Sequence, residues 1–190
     1  LARRALARGD ASAAISALIR AAQLSPATRD ESRRLSEAAY LGADITGELT
    51  HASELLADAE KLQPEGAQSL HAAAAAAYLM VNGDGDVDSA HRLLVRSIET
   101  GDHEWSPRNT ELVEALSTLL LVCWWAGREE YWEPFFTALK RFHEVPELLD
   151  VQAHTFPDTA RASTADRDRL AALVDRLDAE HDPNTLIRIS

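Results

Sequence analysis

The residues best equipped for recognition lie close together. Trp124, Trp125, Tyr131, Trp132, Phe135, Phe136 and Phe142 fall within nineteen residues. Rings at this density can fill a local core, or they can line a pocket that stacks on a ligand or on a partner's side chains. Aromatics at helical spacing usually pack inward, which favours the core. Trp124 and Trp125 are chain neighbours, so on a helix they point about 100° apart. At most one of them is expected to be central, and the other is an interface candidate. Trp124, Trp125, Tyr131, Trp132 and Phe136 are therefore the candidate ligand- or partner-contacting residues.

The titratable residues form no comparable group. Asp84, Asp86 and Asp88 alternate as at the start of a calcium loop, but Ser89 stands where that loop needs glycine and Val95 where it needs its last glutamate. A turn with a helix cap is the better reading. None of His51, His71, His91, His103, His143, His154 and His181 falls in His-Glu-x-x-His or another compact ligand spacing. His143 and Glu144 are expected at a helix end, where a cationic His complements the helix dipole. No local Cys–His or Ser–His–Asp arrangement can be argued. No Gly-x-x-x-x-Gly-Lys phosphate loop and no Gly-x-Gly-x-x-Gly occurs, and the turn at Gly83 and Gly85 lacks a preceding strand. The expectation is no catalytic residue, no metal ligand, no cofactor in this segment and no enzyme.

Composition narrows the partners. The chain has 190 residues and a formal charge of -12. An acidic body repels phosphate and is a poor nucleic-acid binder on its own. Arg3, Arg4 and Arg8 read as a solvated helix face. The single cysteine, Cys123, rules out an internal disulfide and fits a cytoplasmic protein. The longest uncharged apolar runs, 72–81 and 119–126, fall well short of the roughly 20 residues that span a bilayer, so no membrane is expected. Apolar residues make up 46 %, much of it alanine. Alanine helices approach closely but bury little area each, so many must stack to form a core.

The elements that hold these residues read as helices throughout. Residues 1–7 end a first helix before Gly9, and 11–24 form the next, with Ala14, Leu18 and Ala21 inward. Thr28 and Glu31 have capping-box spacing at the start of a helix that runs to about Asp44. Leu35, Ala39, Tyr40 and Ala43 share its face. Residues 48–62 return with Ala52, Leu55, Leu56 and Ala59 inward, and Gln63, Pro64 and Gly66 break them. Residues 70–98 make a helix, a tight turn over 82–86 and a second helix. Asn109 caps the most apolar helix, 111–126. In 129–142, Pro134 predicts a kink or a late helix start. Residues 147–155 follow. Thr164 is then expected to cap a helix to His181, with Leu170, Leu173, Val174 and Leu177 inward. Asp182-Pro183 reads as the cap of one more helix. Both ends look cut from a longer chain, which makes 1–190 one helical-repeat domain.

The hairpins repeat in register. Gly9, Gly47, Gly85 and Gly127 mark the turns at steps of 38, 38 and 42 residues. Five positions on come Ala14, Ala52, Ala90 and Trp132. Nine positions on come Leu18, Leu56, Leu94 and Phe136, and seven before the second and third glycine come Tyr40 and Tyr78. Small residues at the first offset permit close crossing, and large ones at the second fill the groove beside it. The pattern resembles tetratricopeptide repeats, although the step exceeds the usual ~34 residues, the Trp-Leu-Gly signature is missing and Trp132 stands where a small residue belongs. The expected fold is all-α, with tetratricopeptide-like antiparallel hairpins stacked as a right-handed solenoid.

Leu1-Ala-Arg-Arg-Ala-Leu-Ala-Arg-Gly-Asp10, Leu18-Ile-Arg-Ala-Ala-Gln-Leu-Ser-Pro26, Ala52-x-x-Leu55-Leu56-x-x-Ala59, Phe156-Pro157-Asp158 and the Asp182-Pro183 helix start together resemble the helical-repeat region of large actinobacterial LuxR-family regulators. Such proteins are similar to the maltose-operon regulator. The resemblance implies an N-terminal ATPase and a C-terminal helix-turn-helix domain outside this segment, so that ATP and DNA are bound elsewhere in the parent. It implies that the repeat region senses a small-molecule inducer or protein partner and couples it to ATP-dependent oligomerisation. Self-association of the segment is a separate expectation, from the exposed end helices of a cut solenoid. No functional residue carries over by motif. The competing expectation is a stand-alone tetratricopeptide-like scaffold for a protein or peptide. With only Lys61, Lys140 and three Asn, it lacks the residues of a carboxylate clamp.

Overall fold

The computed structural model describes residues 1–62, 69–83 and 85–176. The expected breaker at 63–66, Asp84, Leu177, His181 and the helix start after Asp182-Pro183 lie outside the described residues. The described chain is helical and contains no strand. In order come α1 (Ala2–Leu6), α2 (Ala11–Gln23), α3 (Thr28–Leu41), α4 (Leu49–Lys61), α5 (Leu70–Gly83), α6 (Val87–Thr100), α7 (Thr110–Ala126), α8 (Trp132–Leu139), α9 (Glu147–Thr155) and α10 (Thr164–Asp175). No helix among the described residues is long and apolar enough to cross a membrane.

Local chemistry sets the helix starts. The side chains of Asp10, Asp86 and Asn109 accept backbone N–H bonds from Ala13, Ser89 and Leu112, at 2.9, 3.0 and 3.3 Å. Each satisfies one of the donors that a helix start leaves free. Two expected caps move by one residue. Thr28 is the first residue of α3 and makes no cap bond, because the extended residue before it is Ala27. Ser163, not Thr164, caps α10, in a reciprocal box with Asp166. The expected late start at Pro134 is found: 129–131 form a 3-10 turn, and Pro134 sits in the first turn of α8, where its missing N–H costs least. That helix ends at Leu139, so His143 lies beyond it and is exposed rather than at a helix end.

The four glycines of the expected turns share one backbone conformation. Gly9, Gly47, Gly85 and Gly127 all have positive φ, between 61° and 74°. α3 does not run straight into its turn. It widens into a π-helical segment, Gly42–Thr46, before Gly47 reverses the chain in the left-handed region. This places Asp44 in a bulge rather than on a regular helix.

Packing is sequential. α1 packs on α2, α2 on α3 and α3 on α4, while α3, α5, α7 and α9 form a row of successive contacts. α6 packs on α5, α7 and α8. α5 is buried on every side from Leu70 to Tyr78 between α3, α4, α6 and α7. Six consecutive alanines make that possible, since only small side chains allow neighbours to approach from all directions at once. Ala14, Ala52 and Ala90 are fully enclosed, and Leu18, Leu56 and Leu94 are buried beside them.

Three expected faces shift. In α2, Ile15 and Ala22 are buried while Ala21 is only half-buried. In α8 the 3-10 turn changes the register, so Phe135 is fully enclosed and Phe136 is half-buried. In α10 Leu173 is buried, but Val174 is 45 % exposed and Leu170 half-buried, because the helix packs on α9 along one narrow face.

Candidate functional site

The aromatic cluster is divided by the structure between two surfaces. Both tryptophans of the last turn of α7 reach solvent: Trp124 is 52 % exposed and Trp125 39 %. Their angular separation sends them different ways. Trp125 stands edge-on to Tyr78 of α5, with ring centres 6.2 Å apart. Trp124 meets Phe156 beyond α9 at 6.1 Å. Tyr131 lies on the Trp125 side, while Trp132 and Phe136 lie on the other. Trp132 is buried against Phe135 and Phe136, at 5.8 and 6.1 Å. The five candidate residues therefore do not form one pocket.

On the first side, Gly85, Asp86, Asp88, Trp125 and Arg128 line an open depression of about 290 Å³. The Tyr131 hydroxyl donates to Asp88 at 2.5 Å, and Arg128 reaches both Asp88 and the Tyr131 oxygen at 3.1 Å. The carboxylate bonded to it, and the desolvation and charge beside it, push the Tyr131 phenol up, because ionisation would set two anions together. His91 stacks on Tyr131 with ring centres 4.1 Å apart and directs Nε2 to the Tyr131 carbonyl at 3.0 Å. A carbonyl can only accept, so Nε2–H of His91 is the donor, and burial depresses the His91 pKa. The Cys123 thiol donates to the same carbonyl at 3.1 Å. Burial pushes that thiol up to about 12, which leaves no thiolate for nucleophilic chemistry. Two acids of the calcium-like run are occupied otherwise, since Asp86 caps α6 and Asp88 holds Tyr131 and Arg128. No group of side chains among the described residues is arranged to hold a metal ion.

Behind Trp125 runs a polar chain through α5, α3 and α7. Tyr78 and Tyr40, seven residues before successive turn glycines, both donate to Asp44. The Tyr40 bond measures 2.9 Å to Oδ2, and Tyr78 bonds the other oxygen. The Tyr40 ring stacks on His71 with centres 5.5 Å apart. His71 Nε2 meets Glu114 at 2.6 Å, and the backbone N–H of His71 donates to Glu111 at 3.2 Å. Burial alone would depress the His71 pKa. The hydrogen bond to Glu114 and the charges of Glu114, Glu111 and Glu37 outweigh it and raise the pKa above its ordinary value. The shared register of Tyr40 and Tyr78 is a signal in the sequence for part of this chain. Nothing local announces Asp44, His71 or Glu114 as their partners.

On the second side, Glu129, Glu130, Trp132, Glu133, Phe136 and Pro157 enclose an open groove of about 600 Å³. Its floor is aromatic and its rim acidic.

No family model, no characterised protein and no solved structure matches the chain.

Proposed function

We propose that this chain is the signal-sensing and protein-interaction segment of a LuxR-type transcriptional regulator, built of tetratricopeptide-like hairpins stacked as a right-handed solenoid. In this reading the parent is cytoplasmic, and ATP hydrolysis and DNA binding belong to domains outside the segment. The alanine- and arginine-rich hairpin motifs support the family, and the glycine register supports the repeat.

The observation that carries the sensing role is the position of Trp125. Its exposed ring rests on Tyr78, and Tyr78 shares the Asp44 carboxylate with Tyr40 of the preceding hairpin. A molecule that covers Trp125 therefore presses on a junction between successive hairpins. Inducer or partner binding would favour one relative setting of those hairpins and shift the parent towards its oligomeric state.

The parent gene provides the test. A phosphate loop encoded upstream and a helix-turn-helix downstream support this reading. Stop and start codons close to both ends replace it with a stand-alone scaffold. In the full-length regulator, Trp125→Phe is expected to weaken inducer-dependent assembly, read by light scattering, while the helical CD spectrum stays unchanged. Full inducibility of that variant would remove Trp125 from the sensing role.

A further inference from the structure

The groove beside α8 has a composition that specifies its occupant. Trp132 and Phe136 are one helical turn apart, so they share a face, and their rings lie 6.1 Å apart, tilted by 31°. Pro157, from the chain beyond α9, closes the opposite wall. Next to Pro157, Phe156 meets the half-exposed Trp124, so the aromatic surface continues out of the groove.

Glu129, Glu130 and Glu133 are exposed along the rim. None of the three makes an ion pair among the described residues. The neighbouring cation, Arg128, is turned to the other side, where it binds Asp88 and Tyr131. The dipole of α8 accounts for a carboxylate at Glu133, in its first turn. It does not account for an aromatic floor between three unneutralised acids. Such a surface is complementary to an apolar side chain flanked by cations, and it repels acidic peptides, nucleic acid and anionic lipid. The opening is wide, so a small molecule in it would stay largely wet, whereas an extended or helical segment buries one anchor and lays its charges along the rim.

We propose that the groove formed by Trp132, Phe136 and Pro157 docks a basic amphipathic peptide segment of a partner protein, with a leucine or aromatic anchor on the floor and arginine or lysine against Glu129, Glu130 and Glu133. The proposal deepens the interaction role above but uses a different surface from Trp125 and does not require the regulator assignment.

The experiment titrates the whole chain into a fluorescein-labelled synthetic helix with leucine at every third or fourth position and arginine between, read by fluorescence anisotropy. Two further peptides replace either the arginines by glutamate or the leucines by serine. Expected are saturable binding of the first peptide only, a marked loss of affinity on adding salt, and about tenfold weaker binding to the Glu129→Gln, Glu130→Gln, Glu133→Gln triple variant. That variant changes exposed side chains only, and its melting temperature verifies the fold. Phe136→Ala is expected to weaken binding to a similar degree, and Trp125→Phe to leave it unchanged. Binding of the serine peptide as tight as that of the leucine peptide overturns the proposal, because charge alone would then explain the capture. No saturable binding, or full affinity in the triple variant, overturns it as well. A negative result here with Trp125 still required for induction would remove this groove and leave the sensing role standing.

Discussion

His71 is held between opposed effects, and the balance has a measurable sign. The ring is buried, which favours its neutral form, yet Glu114 bonds it at 2.6 Å and Glu111 and Glu37 add negative charge. The result is a pKa above 6.5 in the folded chain. A histidine of raised pKa binds its proton more tightly when folded. Its contribution to stability is complete below the unfolded value of ~6.5 and is lost as pH rises through the folded one. His91 and His103 are shifted the other way, mainly by burial, so they favour the folded state at higher pH. The His71 contribution must therefore be isolated by difference. His71→Gln is expected to cost about 1–3 kcal/mol at acidic pH, since it removes the charge that faces Glu114. The gap between wild type and variant should be constant below about pH 6 and narrow as pH rises above about 6.5. Urea unfolding across that range measures it, and a gap that widens with pH would contradict a raised pKa. None of this was readable from the chain, because His71 and its acidic partners stand 40 and 43 residues apart and no local pattern links them.

Individual elements show which parts of the sequence are legible. Gly47 is required by geometry: at φ 68° a side chain would meet its own backbone, although the space around the position is open. Gly83 also has open space around it, but its φ is not positive and it ends α5. Gly47→Ala is expected to destabilise by about 1 kcal/mol, and Gly83→Ala to be neutral or to stabilise by about 0.5 kcal/mol through the unfolded chain. Equal losses in chemical denaturation would show that the backbone conformation at Gly47 does not decide its residue. The turn glycines were visible in the sequence because a left-handed turn restricts residue type. Pro134 was visible because its missing N–H and fixed φ confine it to the first turn of a helix. The π-helical widening at Gly42–Thr46 was not, since its residues keep the ordinary apolar spacing while the backbone gains width. The Asp44 junction was hidden with it. Val174 shows another limit: periodicity reveals an apolar face but not whether a neighbouring helix is present to cover it. Trp124 and Trp125 point to different neighbours, as their offset on the helix requires, yet both are exposed.

For the whole molecule, the sequential packing predicts a gradient of stability. α5 is enclosed by α3, α4, α6 and α7, whereas α1 rests mainly on α2 and α10 on α9. The buried residues form one continuous core, and α1 and α10 share the fewest faces with it. Opening α1 or α10 breaks one face, while exposing α5 requires the surrounding helices to part. Amide hydrogen exchange followed by mass spectrometry is therefore expected to show the strongest protection in α5 and in the adjoining parts of α6 and α7. Protection should fall through α8 and α9 and be weakest in α1 and α10. Uniform protection from α1 to α10 would instead mean that the described chain opens as one unit. The gradient bears on both surfaces. Trp125 rests on α5 through Tyr78, which also bonds Asp44, so this surface stands on the most enclosed helix. The acidic-rimmed groove is built from α8 and Pro157, towards the less enclosed end. A bound basic peptide would add contacts there. It is expected to slow exchange in α8 and α9 while leaving α5 unchanged, and slowing that spread evenly over the chain would place the peptide elsewhere.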